Sequence, residues 1–310
     1  LIAQTIDNQD YQCHSDCRDE VNLRPLRTLQ RLLLSLCFMP SLVLAQIDFS
    51  PIPASEIQTI TLDGKSAEVL LRSWSGKQQL GLAVIVGASD TQAQSMGLSG
   101  FLRHQLNAKG WATLSLTPPK GLYRPNFITE SEQIKQAGDA QLTLTANQAV
   151  PKYNSEQLLE LRNFQQANLT EALNQLTPLG QPYPGARMLI AFDDSAGMIT
   201  HLLFDKKIPV PDLLILVNPY REYEQLIEKS AQRKPIAEQL MMMSVPILDL
   251  ISNDANPLAL EYAPIRKQYN SAKPVKYYSQ YHLSLDLDNS GGWEEALTRI
   301  EGFAKRVINQ

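Results

Sequence analysis

Cysteine is scarce in this chain: there are 3 in 310 residues, at positions 13, 17 and 37. From residue 38 onward no disulfide can form, so the rest of the protein must hold together by burying apolar surface, which a chain of this length can do. Basic charge is not in excess. The formal net charge is -4 at pH 7, which gives no argument for a nucleic-acid partner, since that usually needs a concentrated basic patch. No apolar run reaches the roughly 18 residues of a spanning helix, so no integral membrane segment is expected after the leader. Histidine is also rare, with 4 in the chain.

The N-terminal segment does carry a pattern. Arg24, Arg27 and Arg31 precede the apolar run from Leu32 to Leu44, and Val43 and Ala45 fit the −3 and −1 positions of a cleavage site. A basic flank, a short apolar run and a small-residue exit are the parts of a secretory signal peptide. Pro40 argues against a first core helix, because proline removes an interior helical hydrogen bond. The expectation is a leader over residues 1–45, a mature chain starting at Gln46, a single domain over 46–310, and a periplasmic location. Cys13, His14 and Cys17 look like a metal-binding fragment but are too few ligands for a closed zinc site.

Further along, strand and helix patterns alternate. Ile57 to Leu62 and Ala67 to Trp74 flank Asp63-Gly64, a hairpin signal. Leu82 to Val86 is a continuous apolar run, as in a strand covered on both faces. Met96 to Lys109 reads as a helix closed by Gly110, and Trp111 to Leu116 as the next strand. Lys120 to Val150 is polar and irregular, an excursion over the sheet. A long helix follows from Glu156 to Leu176. Strands are expected at Arg187 to Phe192, Leu213 to Val217, Val245 to Ile251 and Val275 to Gln280. Helices are expected at Ala196 to Phe204, Tyr223 to Met243, Leu258 to Tyr269 and Trp293 to Ile308. The alternation implies an α/β fold: a mostly parallel sheet with an N-terminal antiparallel hairpin and helices on both faces.

Sites in such sheets form at the carboxyl ends of strands. Ser195 lies in Asp193-Asp194-Ser195-Ala196-Gly197, between a strand and a helix, the setting of a nucleophile elbow. Gly197 fits the small position after the serine; Asp193 is bulky and charged where glycine is usual. The same residues also suit a helix cap. Asp254 follows the strand ending at Ile251, with Asp249 as a rival inside that strand and Asn218 at a third position for an acid. His282 follows the last strand, where it would act as general base. Ala88 and Ala196 are the candidate oxyanion N–H donors. This chemistry needs no metal and no organic cofactor.

Serine, acid and histidine in this order, each after a strand, match the order in α/β-hydrolases. Over most of Ile57 to Gln310 the chain resembles that superfamily, most closely a family of uncharacterised exported bacterial proteins. The resemblance is carried by Leu82-Ala83-Val84-Ile85-Val86-Gly87, by Leu106 to Leu116, by Leu216-Val217-Asn218-Pro219 and by Val245 to Leu250. It implies a periplasmic serine hydrolase acting on an ester or related acyl substrate through Ser195, His282 and Asp254. The alternative is a non-catalytic binding or scaffold protein on the same fold. Sequence names no protein partner.

Overall fold

The computed structural model describes residues 52–62, 64–89, 91–93, 96–118, 155–222, 234–272 and 278–309. The leader, the excursion from Lys120 to Val150 and most of the helix expected from Tyr223 lie outside the described residues. β1 (Ile57–Leu62) and β2 (Lys65–Arg72) pair antiparallel as a hairpin. Leu62 pairs with Lys65, and Gly64 closes the turn at φ 69°. That two-residue turn starts β2 two residues earlier than its apolar pattern suggests.

The remaining strands are β3 (Gly81–Val86), β4 (Trp111–Leu116), β5 (Ala186–Phe192), β6 (Leu213–Val217), β7 (Ile247–Ile251) and β8 (Tyr278–His282). They form one sheet in the order β1-β2-β4-β3-β5-β6-β7-β8. β1 and β2 run antiparallel to their neighbours, and β3 to β8 are mutually parallel. The helices are α1 (Leu98–Ala108), α2 (Ser155–Gly180), α3 (Asp193–Phe204), α4 (Ile236–Met241), α5 (Pro257–Ala272) and α6 (Ser290–Ile308).

Every residue of β4, β6 and β7 is buried, as expected of strands covered on both faces. On one face Leu169 and Leu176 of α2 and Ile199 and Leu202 of α3 pack against Leu189, Leu214 and Leu216. On the other, Phe101, Leu102 and Leu106 of α1 and Ile300 and Phe303 of α6 pack against Ile85, Ile190, Ile215 and Leu248. Phe49–Gln310 is one compact unit.

Two boundaries differ from expectation where function is concerned. α3 begins at Asp193, directly after β5, with Ser195 already inside its first turn. β8 ends on His282 rather than before it. The register explains the second shift. Gln280 lies opposite Asp249 on β7. The Tyr278 hydroxyl and the Gln280 amide both donate to Asp249 Oδ2, at 2.7 and 2.9 Å. Those bonds fix which residues of 278–282 pair.

Candidate functional site

The turn from β5 into α3 is made at Asp193, which has φ 50°. A left-handed backbone at a residue with a side chain is uncommon and costs about 1 kcal/mol or more. Such a residue turns its side chain out at the strand end. Asp193 is partly exposed and lines an open cleft of about 240 Å³ at the carboxyl ends of β3, β5, β6 and β7. Thr91, Phe192, Asn218, Asp254, Asn256 and Leu287 are among its other walls.

Ser195 stands two residues beyond the turn and is fully buried. Its hydroxyl donates to the carbonyl oxygen of Gly87 at 2.7 Å, and its N–H donates to Asp194 Oδ1 at 2.9 Å. The cleft does not include it. The elbow is therefore centred on Asp193, with Ala191 and Ser195 as the small residues two before and two after it. Small residues at that spacing are the sequence signal of such an elbow.

Gly197 is needed for a different contact from the one expected. A Cβ there would meet the Tyr220 carbonyl oxygen at 2.1 Å, so this glycine lets the turn after β6 lie against α3. The Tyr220 N–H donates back to the Asp193 carbonyl at 3.3 Å.

Asp194, one of the residues that suit a helix cap by sequence, is instead the centre of a buried network. Its Oδ1 accepts the Ser89 N–H at 3.0 Å, and its Oδ2 accepts the Ser89 hydroxyl. Arg162 of α2 lies 2.5 Å from the same Oδ2. That guanidinium also grips Glu222 with two bonds, at 2.8 and 2.6 Å, and reaches Ser89 Oγ at 2.9 Å. Burial acts to lower the Arg162 pKa, but its bonds to Glu222 and the charge of Asp194 outweigh that and raise it. Tyr220 is pushed up by burial first, then by the charges of Asp194, Glu222 and Asp193. The loop after β3 is thus tied to α3 through a side-chain carboxylate. The Ser89 N–H, a donor in the loop expected to supply an oxyanion contact, is engaged within the protein.

The remaining expected residues are dispersed. Ala88 does line the cleft, whereas Ala196 is fully buried in the core against α2. Asp254 lines the cleft and is exposed; its Oδ2 accepts the Leu287 N–H at 3.0 Å. His282 is exposed at the end of β8, opposite Ile251, and is not a wall of the cleft. The loop that follows β8 instead presents Leu287. It is held there by Asp254 and by the Trp293 indole, which donates to the Leu287 carbonyl at 2.7 Å. His104 is on α1 beside Arg72 and Arg103, and His201 is on α3 beside Asp205. Among the described residues no histidine lines the cleft.

Asp249, the rival acid, is fully buried. Arg266 Nε donates to its Oδ2 at 2.8 Å, and Tyr278 and Gln280 complete its shell. Asn218, at the third position for an acid, has φ 52°. Its side chain exchanges two bonds of 2.9 Å with Ser252 and clips the ends of β6 and β7 together.

Several solved structures share this fold. Est1E from Butyrivibrio proteoclasticus superposes with TM-score 0.57 at 10% identity, over 82% of this chain and all (100%) of that one. TT1662 from Thermus thermophilus gives 0.53 at 12%, over 82% and 99%. The esterase domain of a Rhodothermus marinus protein gives 0.50 at 14%, over 81% and 98%. No curated protein matches the chain. The family described as "Protein of unknown function (DUF3530)" matches residues 44–306.

The chain belongs to the DUF3530 family. This DUF3530 protein has an α/β-hydrolase-like fold, as its sequence suggests. At these identities the likeness concerns the fold and not the chemistry. The polar side chains that the DUF3530 chain places on the cleft are a pair of carboxylates, Asp193 and Asp254, two carboxamides, Asn218 and Asn256, and the hydroxyl residues Thr91 and Ser99. Ionised carboxylates only accept hydrogen bonds, so the arrangement suits a small molecule rich in N–H or O–H donors.

Proposed function

We propose that this protein binds a small donor-rich molecule in the strand-end cleft and performs no serine-based acyl transfer there. One observation carries the reading: the Ser195 hydroxyl is buried and bonded to the Gly87 carbonyl, while the elbow presents Asp193 to the cleft. Serine attack needs a base within hydrogen-bond reach of the hydroxyl. The test is a pair of measurements on the purified chain. Thermal-shift titration with small amines and polyols should raise the melting temperature with at least one class, and Asp193→Asn should weaken that response. Turnover of p-nitrophenyl acetate should equal that of the Ser195→Ala variant. Turnover lost in Ser195→Ala, with no ligand response, would overturn the reading.

The second reading is a serine hydrolase using Ser195, His282 and Asp254, with oxyanion donors at Ala88 and Ala196. It is favoured by neighbours that are named esterases. It requires Ser195 to leave Gly87 and His282 to leave the end of β8. Export to the periplasm belongs to either reading and rests on the pattern from Arg24 to Ala45. Fractionation of expressing cells, with an N-terminus found at Gln46, would support it; full-length protein retained in the cytoplasm would refute it.

A further inference from the structure

A second cavity, of about 320 Å³, lies at the other end of the sheet. It touches Arg187, Met188 and Leu189 near the start of β5, whereas the cleft touches Phe192 at its end. At about 3.3 Å per residue their nearest walls on β5, Leu189 and Phe192, are about 10 Å apart along the strand, and they share no wall residue. The cavity is roofed by the C-terminal end of α2 and closed below by the segment 208–211 that leads into β6. Its interior is apolar: Leu82, Leu176, Leu189 and Ile208 are buried and present hydrocarbon.

One wall residue is charged. The Arg187 guanidinium donates to the backbone carbonyls of Tyr183 and Gly180, at 2.5 and 3.2 Å. Among the described residues it makes no ion pair, whereas the guanidinium of Arg162 meets two carboxylates and that of Arg266 meets one. Asp212, the nearby acid, spends its Oδ2 on the Arg187 backbone N–H at 2.7 Å. Two carbonyl bonds orient the guanidinium while leaving its charge unneutralised by a carboxylate. A guanidinium has five N–H donors, so capacity remains for an anion.

From this we infer that the cavity binds an amphipathic monocarboxylate of medium chain length, its hydrocarbon among the leucines and its carboxylate on Arg187. The size is at the small end for ligand pockets, which suits one unbranched chain and not a diacyl lipid. The cleft is a poor competitor for the same ligand, because Asp193 and Asp254 repel a carboxylate.

Decanoate, titrated calorimetrically into the purified full chain, is the probe, with decanol as its uncharged counterpart. Decanoate should bind saturably at one site, and decanol at least about tenfold more weakly, the worth of one charge-assisted hydrogen bond. Arg187→Met should weaken decanoate by a similar factor and leave decanol unchanged. Because Arg187 also braces two carbonyls, a second variant guards against misfolding. Thr177→Trp, on an exposed position of α2 at the cavity, should fill the space and weaken both ligands. No decanoate binding to the folded chain, equal binding of decanoate and decanol, or unchanged binding in Thr177→Trp would each overturn the inference.

Discussion

The hydroxyl of Ser195 donates to the carbonyl oxygen of Gly87 at 2.7 Å, inside the core, and Ser195 is not a wall of the cleft. The bond ties the first turn of α3 to the end of β3. Removing it should therefore affect stability and not chemistry. Ser195→Ala is expected to lose about 1 kcal/mol by urea denaturation. Its response to cleft ligands should match that of the unaltered protein.

Asp193 pays the conformational cost of the elbow. Asp193→Gly should relieve it and be at least as stable, with a gain of up to about 1 kcal/mol, because glycine adopts positive φ freely. Asp193→Val should be less stable by about 1 to 2 kcal/mol. Equilibrium unfolding of both variants decides the matter. Equal stability of the two would mean that the turn is not made at this residue.

The elbow carries a carboxylate, Asp193, where a nucleophilic hydroxyl would stand, and among the described residues no imidazole lines the cleft. Asp193→Ser combined with Leu287→His would place both on its walls, with Asp254 beside the new imidazole. The double variant should hydrolyse p-nitrophenyl acetate faster than either single variant by at least about a hundredfold, the lower range for a positioned general base. Equal rates in all three would show that these positions do not face one another.

Arg266 and Asp249 form an ion pair with both side chains fully buried. Arg266→Met strands the Asp249 charge and should cost about 3 to 5 kcal/mol. Adding Asp249→Asn should recover part of that loss, since the stranded charge is then gone. A double-mutant cycle by urea unfolding measures the coupling.

Tyr278 is raised well above the ordinary tyrosine value by burial and then by the adjacent Asp249 charge, and Tyr220 is raised for similar reasons. A tyrosine whose folded pKa exceeds its unfolded value of about 10 binds its proton more tightly when folded. Its contribution is fully present below pH ~10 and is lost as pH rises beyond it. Unfolding midpoints should thus fall between about pH 9 and pH 11, and Tyr278→Phe should reduce the slope. A slope identical in Tyr278→Phe would show that Tyr278 does not titrate in this way.

Much of the fold is legible in the sequence because buried parallel strands are continuous apolar runs. Leu213 to Val217 and Trp111 to Leu116 are found where their patterns put them. The candidate site was less legible, for two local reasons. Asp193 and Asp194 have the chemistry of a helix cap, so the residue pattern puts the turn at Ser195; backbone φ, which no residue pattern states, locates it at Asp193. At the other end, Tyr278 to His282 alternates weakly, and its register is set by two side-chain bonds to Asp249 from a different strand. Arg162 could not be placed either: its partners Ser89, Asp194 and Glu222 lie 73, 32 and 60 positions away in the chain, and only folding brings them together.

Reaction of the purified, folded protein with a fluorophosphonate, followed by mass mapping of the adduct, tests the central claim most directly. A hydroxyl bonded to a backbone carbonyl in the core, with no histidine among the described residues lining the cleft, should leave Ser195 unlabelled. A stoichiometric adduct on Ser195 that disappears in Ser195→Ala would contradict this account and restore the serine as a nucleophile.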